Sequence, residues 1–121
     1  MIKSLSLLTR RPGLSHEEFV RHWLEIHAPL AHAVPGVRRY VQNHIEGERR
    51  RADIPETEVA VDGIAELWYD DHAAMARANA SPEAKRLHDD GALFIGAIKT
   101  FVIEEKVIIP ISQEPSLGDD R

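Results

Sequence analysis

The chain has 121 residues, 43% of them apolar and 29% charged, which is enough for one domain with a modest core. A net charge of −5 and a pI of about 5.8 argue against a nucleic-acid partner, and the absence of cysteine excludes disulfides, a thiolate nucleophile and cysteine-bound metal. No apolar run is long enough to span a membrane and "MIKSLSLLTRR" lacks the apolar core of a signal peptide, so a soluble cytoplasmic protein is expected.

Residues 2–10, "IKSLSLLTR", read as a strand closed by the Pro12-Gly13 turn. Ser15 then reads as a helix N-cap, with Glu17 and Glu18 at the positive end of the helix dipole. The helix is expected over 16–33, stopping before Pro35-Gly36. A strand is expected at 37–47, a polar loop at 48–61 and a third strand at 62–69. Asp70 or Asp71 caps a short helix, "HAAMARANA", and Ser81-Pro82 opens another. The last strand is expected at 100–109, which makes 1–109 the domain and 110–121 a loose C-terminal tail. The order βαββαβ predicts a ferredoxin-like α+β fold, an antiparallel four-stranded sheet with helices on one face. In the last strand Phe101, Ile103, Val107 and Ile109 alternate with Val102 and Ile108, so both faces are apolar. A second copy is the simplest cover for the free face, and a homodimer is expected.

Four of the seven histidines lie in "HWLEIHAPLAHAVPGVRRYVQNH", residues 22–44. At about 100° per residue from Phe19, the residues Val20, Trp23, Leu24, Ile26, Leu30, Ala31 and Val34 gather on a core-facing stripe. His22 and His32 fall on the opposite, charged arc, whereas His27 lands near the middle of the stripe. Spacings of five turn successive histidines by about 140°, so they do not converge and no metal site is expected. His27 then has two readings. It is either a core histidine or a neutral imidazole lining a pocket, available as a base. In the second strand Tyr40, Gln42 and His44 form a polar ladder that is costly if dry and unpaired. That ladder implies either a wet cavity or pairing across the dimer. Arg49, Arg50 and Arg51, followed by Asp53, Glu56 and Glu58, read as a solvated loop with local pairing.

The histidine segment, with "ELWYDDHAAMARANASPEAKRLHDD" and "FIGAIKTFVIEEKVII" downstream, resembles the EthD family of the dimeric α+β barrel superfamily over residues 2–109. The resemblance implies the same fold, a homodimer whose sheets form a barrel, and a cavity between sheet and helices in each subunit. The family includes catabolic accessory proteins, fungal polyketide-pathway dehydratases and cofactor-free lactone isomerases. The methylmuconolactone isomerase type opens with a similar strand and the same "HEEF" helix start. Its cavity histidine corresponds to His27 and its cavity tyrosine to Tyr40. Its loop histidine before Val-Pro is replaced by Asp53 before Ile54-Pro55, and its reactive cysteine by Leu67 before Trp68-Tyr69.

Together these readings imply a cofactor-independent isomerase or lyase/dehydratase acting on a small, largely apolar ring or enol/carbonyl metabolite. His27 is expected to move a proton, Tyr40 to donate to a developing oxyanion, and Asp53 to orient the substrate or act as a second acid–base group. Trp23, Leu67, Phe94 and Phe101 are expected as apolar walls, with Gln42 and His44 beside the substrate. No metal or cofactor is expected. The alternatives are a cofactor-free oxygenase and a non-catalytic small-molecule-binding accessory protein.

Overall fold

A centre strand must suit burial on both faces, and β1 (Ile2–Arg10) does: Ser4, Ser6 and Leu8 face the helices while Lys3, Leu5 and Leu7 face away. In the computed structural model, which describes residues 1–112, β1 pairs antiparallel with β3 (Gly63–Tyr69) and β4 (Ile95–Glu104). Antiparallel pairing of β2 (Arg39–His44) with β3 completes the sheet order β2-β3-β1-β4. Helices α1 (His16–His22) and α2 (Ala28–Ala31) lie between β1 and β2; α3 (His72–Asn79) and α4 (Pro82–Phe94) lie between β3 and β4. This is the ferredoxin-like α+β fold. Of the expected tail, residues 113–121 lie outside the described residues. No helix among the described residues is long and apolar enough to cross a membrane.

Local chemistry starts α1, α3 and α4. Ser15 and Glu18 form a reciprocal capping box, the Ser15 hydroxyl accepting from the Glu18 N–H at 3.0 Å and the Glu18 carboxylate from the Ser15 N–H at 2.8 Å. Asp71 caps α3, and Ser81 caps α4 with Pro82 in its first turn. The chain then enters β1's neighbourhood through Asp62, a buried carboxylate that accepts from the Arg10 N–H, the Arg10 guanidinium and His16.

Strand ends depart from expectation, and pairing explains why. β4 covers Ile95–Glu104 rather than 100–109, because Glu104 already pairs with Ile2 and β1 offers no partner beyond it. Val107, Ile108 and Ile109 therefore lie past the strand and are exposed. β2 covers Arg39–His44 rather than 37–47, since its register with β3 runs out at His44 opposite Gly63. The face away from the helices is less purely apolar than its sequence suggests. Beside Leu5, Leu7, Ile64 and Phe101, one end of this face is charged: Lys3 donates to Glu66 (2.7 Å) and Glu105 (2.9 Å) next to the Trp68 ring.

Candidate active site

The first helix carries its buried side chains at a strict spacing of four: Phe19, Trp23, His27 and Ala31. In an α-helix each step of four overshoots by about 40°, so such a row cannot stay on one face. The helix resolves this by widening. Trp23–His27 is a π-helical segment, closed by the Ala28 N–H bonding to the Trp23 carbonyl. Pro29 helps, because it has no N–H to restore the α-helical bond to Glu25. The continuous helix expected over 16–33 is thus interrupted. Leu24 and Ile26, expected inside, are 55% and 53% exposed.

The same widening overturns the expectation that the histidines diverge. Residues five apart come to one side of a π turn, and His22 and His27 meet on one carboxylate, Asp90 of α4. His27 Nδ1 lies 2.8 Å from Asp90 Oδ2, and His22 Nε2 lies 3.0 and 3.1 Å from its two oxygens. A carboxylate only accepts, so His27 donates from Nδ1 and its Nε2 keeps the lone pair, on a ring that lines the cavity. Burial is the largest influence on this imidazole and lowers its pKa below 6.5; Asp90 pulls upward without prevailing. His27 is therefore neutral at pH 7. Phe94, fully buried, packs against both rings at 5.1 Å and 4.5 Å.

Across the cavity, the polar ladder of β2 settles into one bonded chain. The Trp23 carbonyl is only an acceptor, so the Gln42 atom 2.9 Å away is its amide nitrogen. That nitrogen also donates to Tyr40 Oη at 2.8 Å, and Gln42 Oε1 faces His44 Nε2 at 2.9 Å. Tyr40 thus accepts within the protein, and its own hydroxyl proton is left for a ligand. Burial pushes the Tyr40 hydroxyl above 10, which keeps it a neutral donor, although Gln42 and the Trp23 indole act in the opposite sense. Trp23 Nε1 itself is fully buried and turns toward Tyr40 without closing a hydrogen bond of normal geometry. The indole packs against β3 so closely that a Cβ at Gly63 would clash with its Cζ3 and Cη2 edge.

A cavity of about 560 Å³ opens between the sheet and the helices, lined by His27, Tyr40, Trp23 and Leu67 among the expected residues. Phe94 sits behind the histidines, and Gln42 and His44 sit behind Tyr40 and Trp23, the His44 ring stacking on the indole at 4.8 Å. Two expected residues are elsewhere. Phe101 pairs with Leu5 on the opposite sheet face, as strand alternation dictates once Thr100 and Val102 face the cavity. Asp53 is exposed on its loop and accepts from Arg51 at 2.8 and 3.2 Å; that hydrogen bond holds its carboxyl below 3.8. Its nearest partner is local, so it does not join the site.

Asp90, His22, His88 and the hydroxyls of Ser4, Ser6 and Thr100 were not legible as site residues. Asp90 did carry a signal. It is an acid three residues after Leu87 and four before Phe94, inside the stripe that α4 buries. Among the described residues, no group of three His, Asp or Glu side chains is arranged to hold a metal ion.

A ferredoxin-like α+β domain with a polar-tipped cavity between sheet and helices is the class these features define. The chain belongs to the EthD domain family, which matches over residues 11–97. It is similar to the 4-carboxymethyl-4-methylbutenolide mutase of Pseudomonas reinekei, 30% identical over 108 residues, covering 88% of this chain and all of the relative. An EthD family protein of Bacillus halodurans has a similar structure, with a TM-score of 0.70 and 28% identity over 88% of this chain and all of its own. A dimeric ferredoxin-like protein of unknown function from Thermobifida fusca shares the fold at 13% identity, with a TM-score of 0.63 over 84% of this chain and 88% of its own.

Proposed function

We propose that the protein is a cofactor-independent isomerase or lyase that moves a proton on a small ring or enol/carbonyl compound. One observation carries this reading: a neutral imidazole, fixed by Asp90 with its lone pair on Nε2, shares a cavity with a neutral phenol whose proton is uncommitted. The first is a base and the second a donor for the oxygen that gains charge when the proton leaves. His27 takes the proton from carbon, Tyr40 stabilises the enolate-like oxygen, and His27 returns the proton to a different atom or to a leaving oxygen. Return to another carbon is an isomerisation; return to a leaving hydroxyl is a dehydration. The mutase relative supports the first outcome. Asp90 and His22 act through His27 as positioning residues, holding its tautomer.

The protein acts as a homodimer in this proposal. Support comes from the apolar residues of the outer sheet face, the exposed run Val107–Ile111, and a dimeric structural neighbour. Proton transfer is tested by incubating the protein in D₂O with enol lactones and hydroxylated aromatic rings and following deuterium incorporation by NMR. The wild type exchanges or converts at least one compound, and His27→Ala lowers that rate by about 10²-fold or more. A rate that His27→Ala leaves unchanged contradicts the assignment.

A further inference from the structure

We infer that the cavity selects an uncharged one- or two-ring compound with two oxygens, one held by Tyr40 and one by the Ser6–Thr100 hydroxyl pair, and that it rejects carboxylates. The inference rests on the cavity being the substrate site. Three observations carry it.

The first is charge. Among the described residues lining the cavity there is no lysine, arginine, aspartate or glutamate. Its histidines are His27, which burial keeps neutral, and His88. An anion entering here would shed water with no fixed cation to replace it, and would approach the Asp90 carboxylate behind His27. The mutase relative is named for a carboxymethyl compound; this cavity lacks the cation such a group would call for.

The second is a pair of polar stations at opposite sides. At one side Tyr40 has a free hydroxyl proton, beside the fully buried Trp23 N–H, which turns toward Tyr40 without a hydrogen bond of normal geometry. At the other side Ser6 and Thr100, neighbours across β1 and β4, bond to each other at 2.8 Å. One hydroxyl of that pair gives its proton to the other, which leaves the second proton and the remaining lone pairs for a guest. The pair therefore both donates and accepts, as a ligand hydroxyl or carbonyl requires. β1 lies two strands from β2, about 10 Å between backbones. Side chains reaching inward from each leave room for a ring or a fused pair of rings.

The third is thickness. The floor between the stations is made of Ser4, Ala65 and Leu67, and α4 roofs it with Ala84, Leu87, His88, Gly91 and Ala92. Ala65 below and Ala84 and Gly91 above leave room between the larger Leu67 and Leu87 side chains, a slot that suits a flat compound.

Binding needs no turnover, so the test stands apart from the acid–base proposal. Calorimetry at pH 8, where imidazoles are neutral, compares 2-naphthol, 2,6-dihydroxynaphthalene and 6-hydroxy-2-naphthoate, which share one ring system. The diol is expected to bind about 3–10-fold more tightly than the mono-ol, as one added neutral hydrogen bond gives. The carboxylate is expected to bind at least about tenfold more weakly than the diol. The Ser6→Ala, Thr100→Val double variant should erase the diol's advantage over 2-naphthol, and His27→Ala should preserve the ranking. Equal affinities, a carboxylate that binds best, a preference that survives the double variant, or no binding by any of the three at millimolar concentration would overturn the inference. Loss of turnover in His27→Ala with the ranking intact is a result for the catalytic proposal alone.

Discussion

Among single residues, His27 decides between packing and chemistry. His27→Ala removes a buried ring, but His22 still holds Asp90 and water can enter the cavity, so the melting temperature should fall by only a few degrees, about 1 kcal/mol. Turnover should fall far more. Asp90→Asn tests the tautomer: an amide can offer its NH₂ to His27 Nδ1, which then accepts and forces the proton onto Nε2. The expected outcome is a drop in kcat of about 10²-fold or more with KM little changed, measured on whichever compound shows turnover. Tyr40→Phe should cost a similar factor by removing the donor to the oxyanion. The pH dependence has a definite sign. Burial lowers the His27 pKa, so the base form persists below 6.5 and the acid limb of kcat/KM lies below that value. The unfolded chain takes up this proton first, so His27 also makes the fold lose stability as pH falls from 6.5 toward its folded pKa.

Secondary-structure elements show what a sequence can and cannot announce. The caps at Ser15, Asp71 and Ser81 and the strand at Ile2–Arg10 were legible because their chemistry is local, within three or four residues. Strand ends were not, because the partner strand sets them: β4 stops where β1 begins. The π segment was hidden for a different reason. An even wheel assumes the period it is meant to test, and the four-residue recurrence Phe19, Trp23, His27, Ala31 signals a wider turn only when asked about directly. The Asp90 link joins α4 to the first helix across more than sixty residues, beyond the reach of local pattern. Two predictions belong here. Gly63→Ala drives a methyl into the Cζ3–Cη2 edge of the Trp23 indole, so it should displace that ring, cost about 1–3 kcal/mol in thermal unfolding and weaken naphthol binding. Asp62 ties the end of β1 to the start of α1. Burial opposes its charge, but the Arg10 N–H, His16 and the Arg10 guanidinium outweigh that effect and hold its pKa below 3.8. Its contribution is therefore present above 3.8 and lost as pH falls toward its folded pKa, a loss that Asp62→Asn should remove from the acid denaturation curve.

For the whole molecule, the free sheet face and the apolar run past β4 set the expectation of assembly. Lys3, Glu66 and Glu105 put a charged cluster at one end of this face beside the apolar Leu5, Leu7, Ile64 and Phe101, an arrangement that favours a register-specific contact with another copy over general stickiness. Light scattering at micromolar concentration should give about twice the 13.6 kDa of one chain. Phe101→Asp, on that face and away from the cavity, should shift the protein to monomer. A wild-type monomer would remove the homodimer from the proposal and leave the cavity reading to stand on the single chain, whose own residues form its walls.

Everything proposed for the site turns on His27 sitting in the cavity as a neutral base with its proton on Nδ1. Nitrogen-15 NMR of imidazole-labelled protein reads this directly, with His27→Gln identifying the signal. The expected result is an Nδ1–H tautomer at pH 7 that takes up a second proton only below pH 6.5 and is lost in Asp90→Asn. An Nε2–H tautomer, or an imidazolium at pH 7, would contradict it.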